Sequence, residues 1–205
     1  MKNIRRHHCT YIGIIIVVAI VIAAAGIVYV SRGRFNIVPH IVATVTDSKV
    51  KESFPEIDID TLDDQQEKIV SLLRQEFAAQ PDGTKYSEGV SEPWCADFVS
   101  WIMKNAGYPF ENPNSGYWRI PGTYTLREYY ESVGRFHAAD SGYTPQVGDI
   151  MLYDNPSPFG QHTNIVIKNE NGLLTTIGGN EPGGIRVVTH TNRDGVGFLG
   201  YGSLK

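Results

Sequence analysis

The hydrophobic period changes partway along this chain, from a helical repeat to a strand repeat, and that change restricts the folds open to it. Behind Thr61-Leu-Asp-Asp64, which has the form of a capping box, Ile69, Leu72, Leu73 and Phe77 recur at helical spacing. An amphipathic helix is therefore expected over residues 62–79, ending before Pro81-Asp82-Gly83. A second helix is expected from Cys95, with Phe98, Val99, Ile102 and Ala106 on its apolar face and Gly107 as its stop. Glu92-Pro93-Trp94 prevents that helix from starting earlier. Further on, GDIMLY (148–153), HTNIVIK (162–168), GLLTTI (172–177), GIRVVTH (184–190) and VGFLGY (196–201) are short β-rich runs separated by turn residues. Asn171-Gly172 and Pro182-Gly183-Gly184 read as hairpin turns. Helices followed by strands indicate an α+β domain, an antiparallel sheet with the Cys95 helix packed on one face.

Ahead of this domain, Tyr11 to Val30 forms an uncharged run long enough to cross a bilayer as a helix. Lys2, Arg5 and Arg6 precede it, and Ala23-Ala24-Ala25 offers the competing reading of a cleaved signal peptide. The run continues through Ile27, Val28 and Val30, which favours a retained anchor. The expected organisation is a short cytoplasmic tail (1–10), a transmembrane helix (11–30), a stalk or strap (31–60) and a globular domain (61–205). With Arg32 and Arg34 after the run, the positive-inside bias is slight, and the N-terminus is read as cytoplasmic. The domain is then extracytoplasmic on a single-pass membrane protein. Cys9 and Cys95 lie on opposite sides of the membrane and cannot pair, so Cys95 is a lone exported thiol, either packed and inert or kept for its reactivity.

The net charge of -4 gives no basic face for gripping phosphates, and no GxxxxGK[ST] loop occurs, so neither nucleic acid nor a nucleotide is expected as partner. No HExxH helix or Cys/His cluster with zinc spacing is present, and no metal or cofactor is expected, although scattered carboxylates leave calcium open.

A thiolate is stabilised at a helix N-terminus by unpaired N–H groups and the macrodipole, and Cys95 stands at such a position. An imidazole nearby would complete a thiolate-imidazolium pair. In the exported part, His137 and His190 have no obvious site, whereas His162 opens a β-run directly after Pro158-Phe159-Gly160. Alone, a cysteine at the head of an amphipathic helix is more often a small packed hydrophobe than a nucleophile.

The order Cys95, His162, Asn180, with PWCADFVSWIMKNAGYP around the thiol, GDIMLY, HTNIVI and TTIGGN ending at Asn180, resembles the CHAP family of cysteine, histidine-dependent amidohydrolases and peptidases, within the papain-like group. The likeness covers about residues 62–202. It implies a papain-like CHAP fold, with Cys95 as nucleophile and His162 as base, attacking an amide in or at the stem peptide of peptidoglycan through an acyl-enzyme. Relatives often carry Glu two residues before the Asn; here that slot is Gly178, so Asn180 is the expected third member and Glu181 the adjacent alternative. The same departure supports a competing reading, a catalytically weak or inactive module that binds wall peptide.

Tyr86 and Trp94 are candidates for the cleft or oxyanion site, each with core packing as the plainer reading. Asp97 points to a different helix face from Cys95 and reads as a capping or surface group, and Asp149 as a strand-entry turn residue. Between helix and sheet, Tyr117, Trp118, Tyr124, Tyr129 and Tyr130 read either as groove walls or as a small satellite core.

Overall fold

Asp63, rather than Thr61, begins the first helix in the computed structural model, which describes residues 53–157, 160–191 and 197–205. Its carboxylate accepts from the N–H groups of Gln65 and Gln66, and Gln66 Oε1 accepts from Asp63 N at 3.1 Å, closing the capping box two residues later than expected. Thr61 instead ends a short 3-10 turn, Ile59–Thr61, with its hydroxyl on Asp58 O. Helix α1 (Asp64–Ala79) buries Ile69, Val70 and Leu73. At its end Gln80 adopts a left-handed backbone and its side chain bonds both Ile185 N and Ile185 O, tying the helix to the last third of the chain.

Helix α2 (Cys95–Asn105) follows the expected apolar face, and Gly107, at φ 92°, stops it. A third helix, α3 (Thr123–Ser132), lies inside the aromatic segment. Tyr129 and Tyr130 pack with Phe110 in the main core, whereas Tyr117 and Tyr124 are exposed, so the segment is neither one wall nor one satellite cluster.

The strands are β1 (Phe136–Ala138), β2 (Ile150–Tyr153), β3 (His162–Glu170), β4 (Leu173–Glu181), β5 (Gly184–Thr191) and β6 (Phe198–Gly202). They form one antiparallel sheet in the order β1-β6-β2-β3-β4-β5. The α+β class and the antiparallel sheet agree with the sequence. Strand β1 was not anticipated, being three residues long with no apolar alternation. Asn171 and Gly172, at φ 53° and 85°, make the tight turn between β3 and β4.

Alternation along the strands splits the interior into two layers. Ile150, Leu152, Ile165, Ile167, Ile177 and Ile185 face the helices, and Met151, Tyr153, Val166, Leu174 and Tyr201 form a cluster of their own. Helix α2 packs on β3 and β4. This contact requires Gly179 on β4, because a Cβ there would run into the Trp94 ring and lie 2.7 Å from Phe98 Cβ. Phe54 packs edge-on to Phe77 and Ile57 is buried, so the last part of the expected stalk lies on the domain. The expected transmembrane helix at residues 11–30 falls outside the described residues; among those described, no helix is long and apolar enough to cross a membrane.

Candidate active site

Pro93 has no N–H, and the chain enters α2 through Trp94, which has a non-helical backbone and supplies no side-chain cap. The first ladder bond is Phe98 N to Trp94 O, at 2.9 Å. The N–H groups of the first turn therefore have no partner within the helix and converge around Cys95 with the positive end of the helix dipole. Cys95 is a free thiol, 6% exposed, at the edge of the core.

His162 is the first residue of β3, paired across the sheet with Tyr153, and is 7% exposed. Its ring is hydrogen-bonded to the Cys95 side chain, and its Nε2 lies 2.8 Å from Glu181 Oε1. With Nε2 engaged by the carboxylate, Nδ1 is the ring nitrogen left for sulfur. Burial by itself lowers the basicity of this imidazole. The hydrogen bonds to Cys95 and Glu181, together with the electrostatic attraction of those two groups, outweigh that effect and raise its pKa to about 9. The imidazole is thus a cation at neutral pH, held between thiol and carboxylate. Sequence order brought Cys95 and His162 together on paper; the packing of α2 on β3 does so in space.

The residue facing His162 from β4 is Glu181, not Asn180. The expected β-run ends at Ile177, but β4 continues through Glu181. Within it the register shifts, with Gly178 opposite Arg186 and Glu181 opposite Gly184. Asn180, at φ 58°, absorbs the extra residue as a bulge, a backbone state that Asn tolerates better than most residues. One inserted residue steps the in-out alternation by one. The Glu181 side chain consequently turns inward, 10% exposed, while Asn180 faces out. Asn180 lines a cavity of about 170 Å³ with Asp82, Thr84, Val90, Glu92 and Trp94, the residue before Cys95. The contact anticipated for Asn180 is made by its neighbour Glu181.

Of the two aromatic candidates, Trp94 both packs on the core and borders this cavity. Tyr86 does not reach it: the ring is fully buried against Trp94, Phe98 and Trp101, and its hydroxyl donates to Glu76 at 2.7 Å. Glu76 also pairs with Lys85, so this polar group belongs to the structural core. Asp97 is fully buried, contrary to the surface role expected of it, and forms an ion pair with Arg119 at 2.7 Å. Burial outweighs the stabilising Arg119 charge and pushes the Asp97 carboxyl up to about 6. Arg119 also pairs with Glu92, and Tyr117 donates to Glu88, so the loop ahead of α3 is clasped to the segment that delivers Cys95. The signal for this clasp was an acid one residue from Phe98 on a helix with few exposed positions; its partner, far along a loop, had no signal of its own.

Asp149 takes the expected structural role, accepting from Gln146 N at the strand entry. His137 stacks on Tyr143 and bonds Ser203, and His190 contacts Thr176, so both belong to other neighbourhoods. Among the described residues no group of three or more His, Cys, Asp or Glu is placed to hold a metal ion.

A thiol at a helix N-terminus beside a histidine on the adjoining sheet of an α+β domain is an arrangement suited to cysteine hydrolase chemistry. Residues 86–180 match the family model of the CHAP domain, which supports membership of that family, whose members are generally cysteine, histidine-dependent amidases or peptidases. The match contains Cys95, His162 and Asn180 and stops one residue short of Glu181. Comparison with curated proteins and with solved structures finds no similar chain.

Proposed function

We propose that this protein is a membrane-anchored peptidoglycan hydrolase, single-pass, with its catalytic domain outside the cytoplasm, that cleaves an amide in or at the stem peptide through a thiol acyl-enzyme. The observation that carries this reading is the chain of contacts Cys95, His162, Glu181 at an uncapped helix start. The CHAP match supports the wall as substrate, and the uncharged run Tyr11 to Val30 supports the anchor.

In this mechanism the Cys95 thiolate attacks the amide carbonyl, forming a C–S bond and a tetrahedral oxyanion. Backbone N–H groups at the start of α2, including that of Cys95, donate to the oxyanion. The His162 imidazolium then protonates the departing amine as the C–N bond breaks, leaving a thioester. Neutral His162 next takes a proton from water, whose oxygen attacks the thioester, and collapse expels the thiolate and restores the pair. Glu181 keeps the ring oriented and stabilises its positive charge throughout. Trp94 and Asn180 border the groove in which substrate would lie. The reading as a binder that does not cut rested on Gly178; a carboxylate beside His162 from Glu181 favours the enzyme.

Purified full-length chain in detergent micelles should solubilise peptidoglycan, with Cys95→Ala lowering the rate by about 10³-fold or more. Mass spectrometry of the released muropeptides identifies the bond. Equal lysis by parent and Cys95→Ala would overturn the proposal.

A further inference from the structure

A side chain on β3 and the Glu181 carboxylate border the same open space over Gly178. Asn164 lies two residues beyond His162, hence on the same face of the strand, and is 6% exposed. Its Nδ2 makes only a long contact to Thr176 Oγ1, at 3.4 Å, and its Oδ1 is buried without a donor. Gly178, across the sheet, marks where that oxygen points. A Cβ on Gly178 would run into Asn164 Oδ1, lie 2.9 Å from Asn164 Cγ and 3.2 Å from Glu181 Oε1. The amide of Asn164 and the carboxylate of Glu181 thus converge on the space left open above Gly178.

Two acceptors sharing a buried space, one with no donor, is an arrangement that native sites rarely keep. Rotation of the terminal torsion of Asn164 by half a turn removes the conflict, because that torsion has two broad wells of similar shape. Nδ2 then faces the carboxylate and Oδ1 faces the Thr176 hydroxyl, which can donate to it. We propose that Asn164 is a positioning residue for Glu181, donating a side-chain N–H to its carboxylate over Gly178. The carboxylate then holds two donors, Asn164 and His162 Nε2–H, and cannot swing away from the ring. Gly178 is the condition for this contact, since any side chain there would push the amide off. The inference rests on the catalytic reading above, and it deepens that reading by adding a second support behind the histidine.

The test reads the imidazolium directly. Full-length chain in micelles is treated with iodoacetamide across pH, and alkylation of Cys95 is followed by peptide mass spectrometry so that Cys9 does not contribute. Cys95 and Glu181 are the titratable groups bonded to His162, so the upper inflection of the profile follows loss of the imidazolium, near 9 in the parent. Asn164→Leu should lower that inflection by about half a pH unit or more, and Gly178→Ala should move it the same way by displacing the amide. The wall-solubilising kcat should fall by about tenfold with KM changed less than about twofold. If Asn164→Leu fails to fold, Asn164→Ala removes the donor with a smaller side chain and carries the same readout. An inflection that stays at the parent value in folded Asn164 and Gly178 variants overturns the inference, as does a parent profile with no upper inflection. A parent that shows the inflection and its shift but does not cut wall would overturn the proposed substrate and leave the role of Asn164 standing.

Discussion

His162 is a cation up to about pH 9 because a thiol and a carboxylate hold its ring against the opposing effect of burial. Two consequences follow at the scale of single residues. Its pKa lies above the ordinary value near 6.5, so the stabilisation it supplies is complete below about pH 6.5 and is lost as pH rises through about 9. In the proposed mechanism the same proton is delivered to the leaving amine, so kcat/KM should fall on the alkaline side near pH 9. Glu181→Gln retains shape and removes charge. It should lower kcat/KM by about 10–100-fold and draw the alkaline limb down toward the ordinary histidine range. A pH-rate profile on solubilised wall fragments checks both; an unmoved limb in Glu181→Gln would show that the carboxylate does not govern the ring. Cys95 and His162 were legible as residues because helix-start and strand-start signals flank them. Glu181 was legible only as the second choice, since nothing local distinguishes it from Asn180.

The element that decides between those two is β4. Without a bulge, Asn180 would share a face with Gly178 and Glu181 would point the other way. The left-handed backbone at Asn180 is therefore a device for aiming the next residue. Asn180→Gly keeps that conformation open and should leave kcat within about threefold of the parent, even though the side chain borders the groove. Asn180→Val should destabilise the domain by about 1–2 kcal/mol and lower kcat by at least about tenfold by misdirecting Glu181. Thermal unfolding alongside turnover separates this from loss of an Asn contact, in which case both substitutions would lose activity alike. Helix α2 was readable from its period and its Gly107 stop, whereas the bulge was not, because a one-residue slip leaves composition and pattern almost unchanged. α3 was missed because its tyrosines read as surface and core at once, and it is both.

At the scale of the whole domain, residues far apart in sequence meet to fix the frame around the site. Asp149 Oδ1 accepts from Leu204 N, and Oδ2 accepts from Gln146 N and Tyr143 OH, all at 2.8 Å. Arg135 holds Leu204 O from the other side, and Gln66 of α1 donates to Val147 O. Asp149→Ala strands the buried Leu204 N–H and the part-buried donors of Gln146 and Tyr143, and should cost about 2–4 kcal/mol. Removing Leu204 and Lys205 should cost a similar amount, and the two changes combined should cost less than their sum, because they break the same contacts. Denaturant titration of the single and double variants checks this; full additivity would show that the tie contributes little.

The sequence by itself determined the class of the domain, helices α1 and α2, strands β2 to β6 and the two residues of the thiol-imidazole pair, because each of these is written in local period, caps and turn chemistry, and its motifs carried the likeness to the CHAP family. The expectations for residues 1–52 rest on sequence alone. Tertiary structure decided which neighbour of the bulge reaches His162, that Tyr86 serves Glu76 in the core, that Asp97 is buried against Arg119, and that Gly178 is an opening shared by Asn164 and Glu181. These depend on strand register and on close approach between elements distant along the chain, and neither quantity is carried by a residue and its near neighbours.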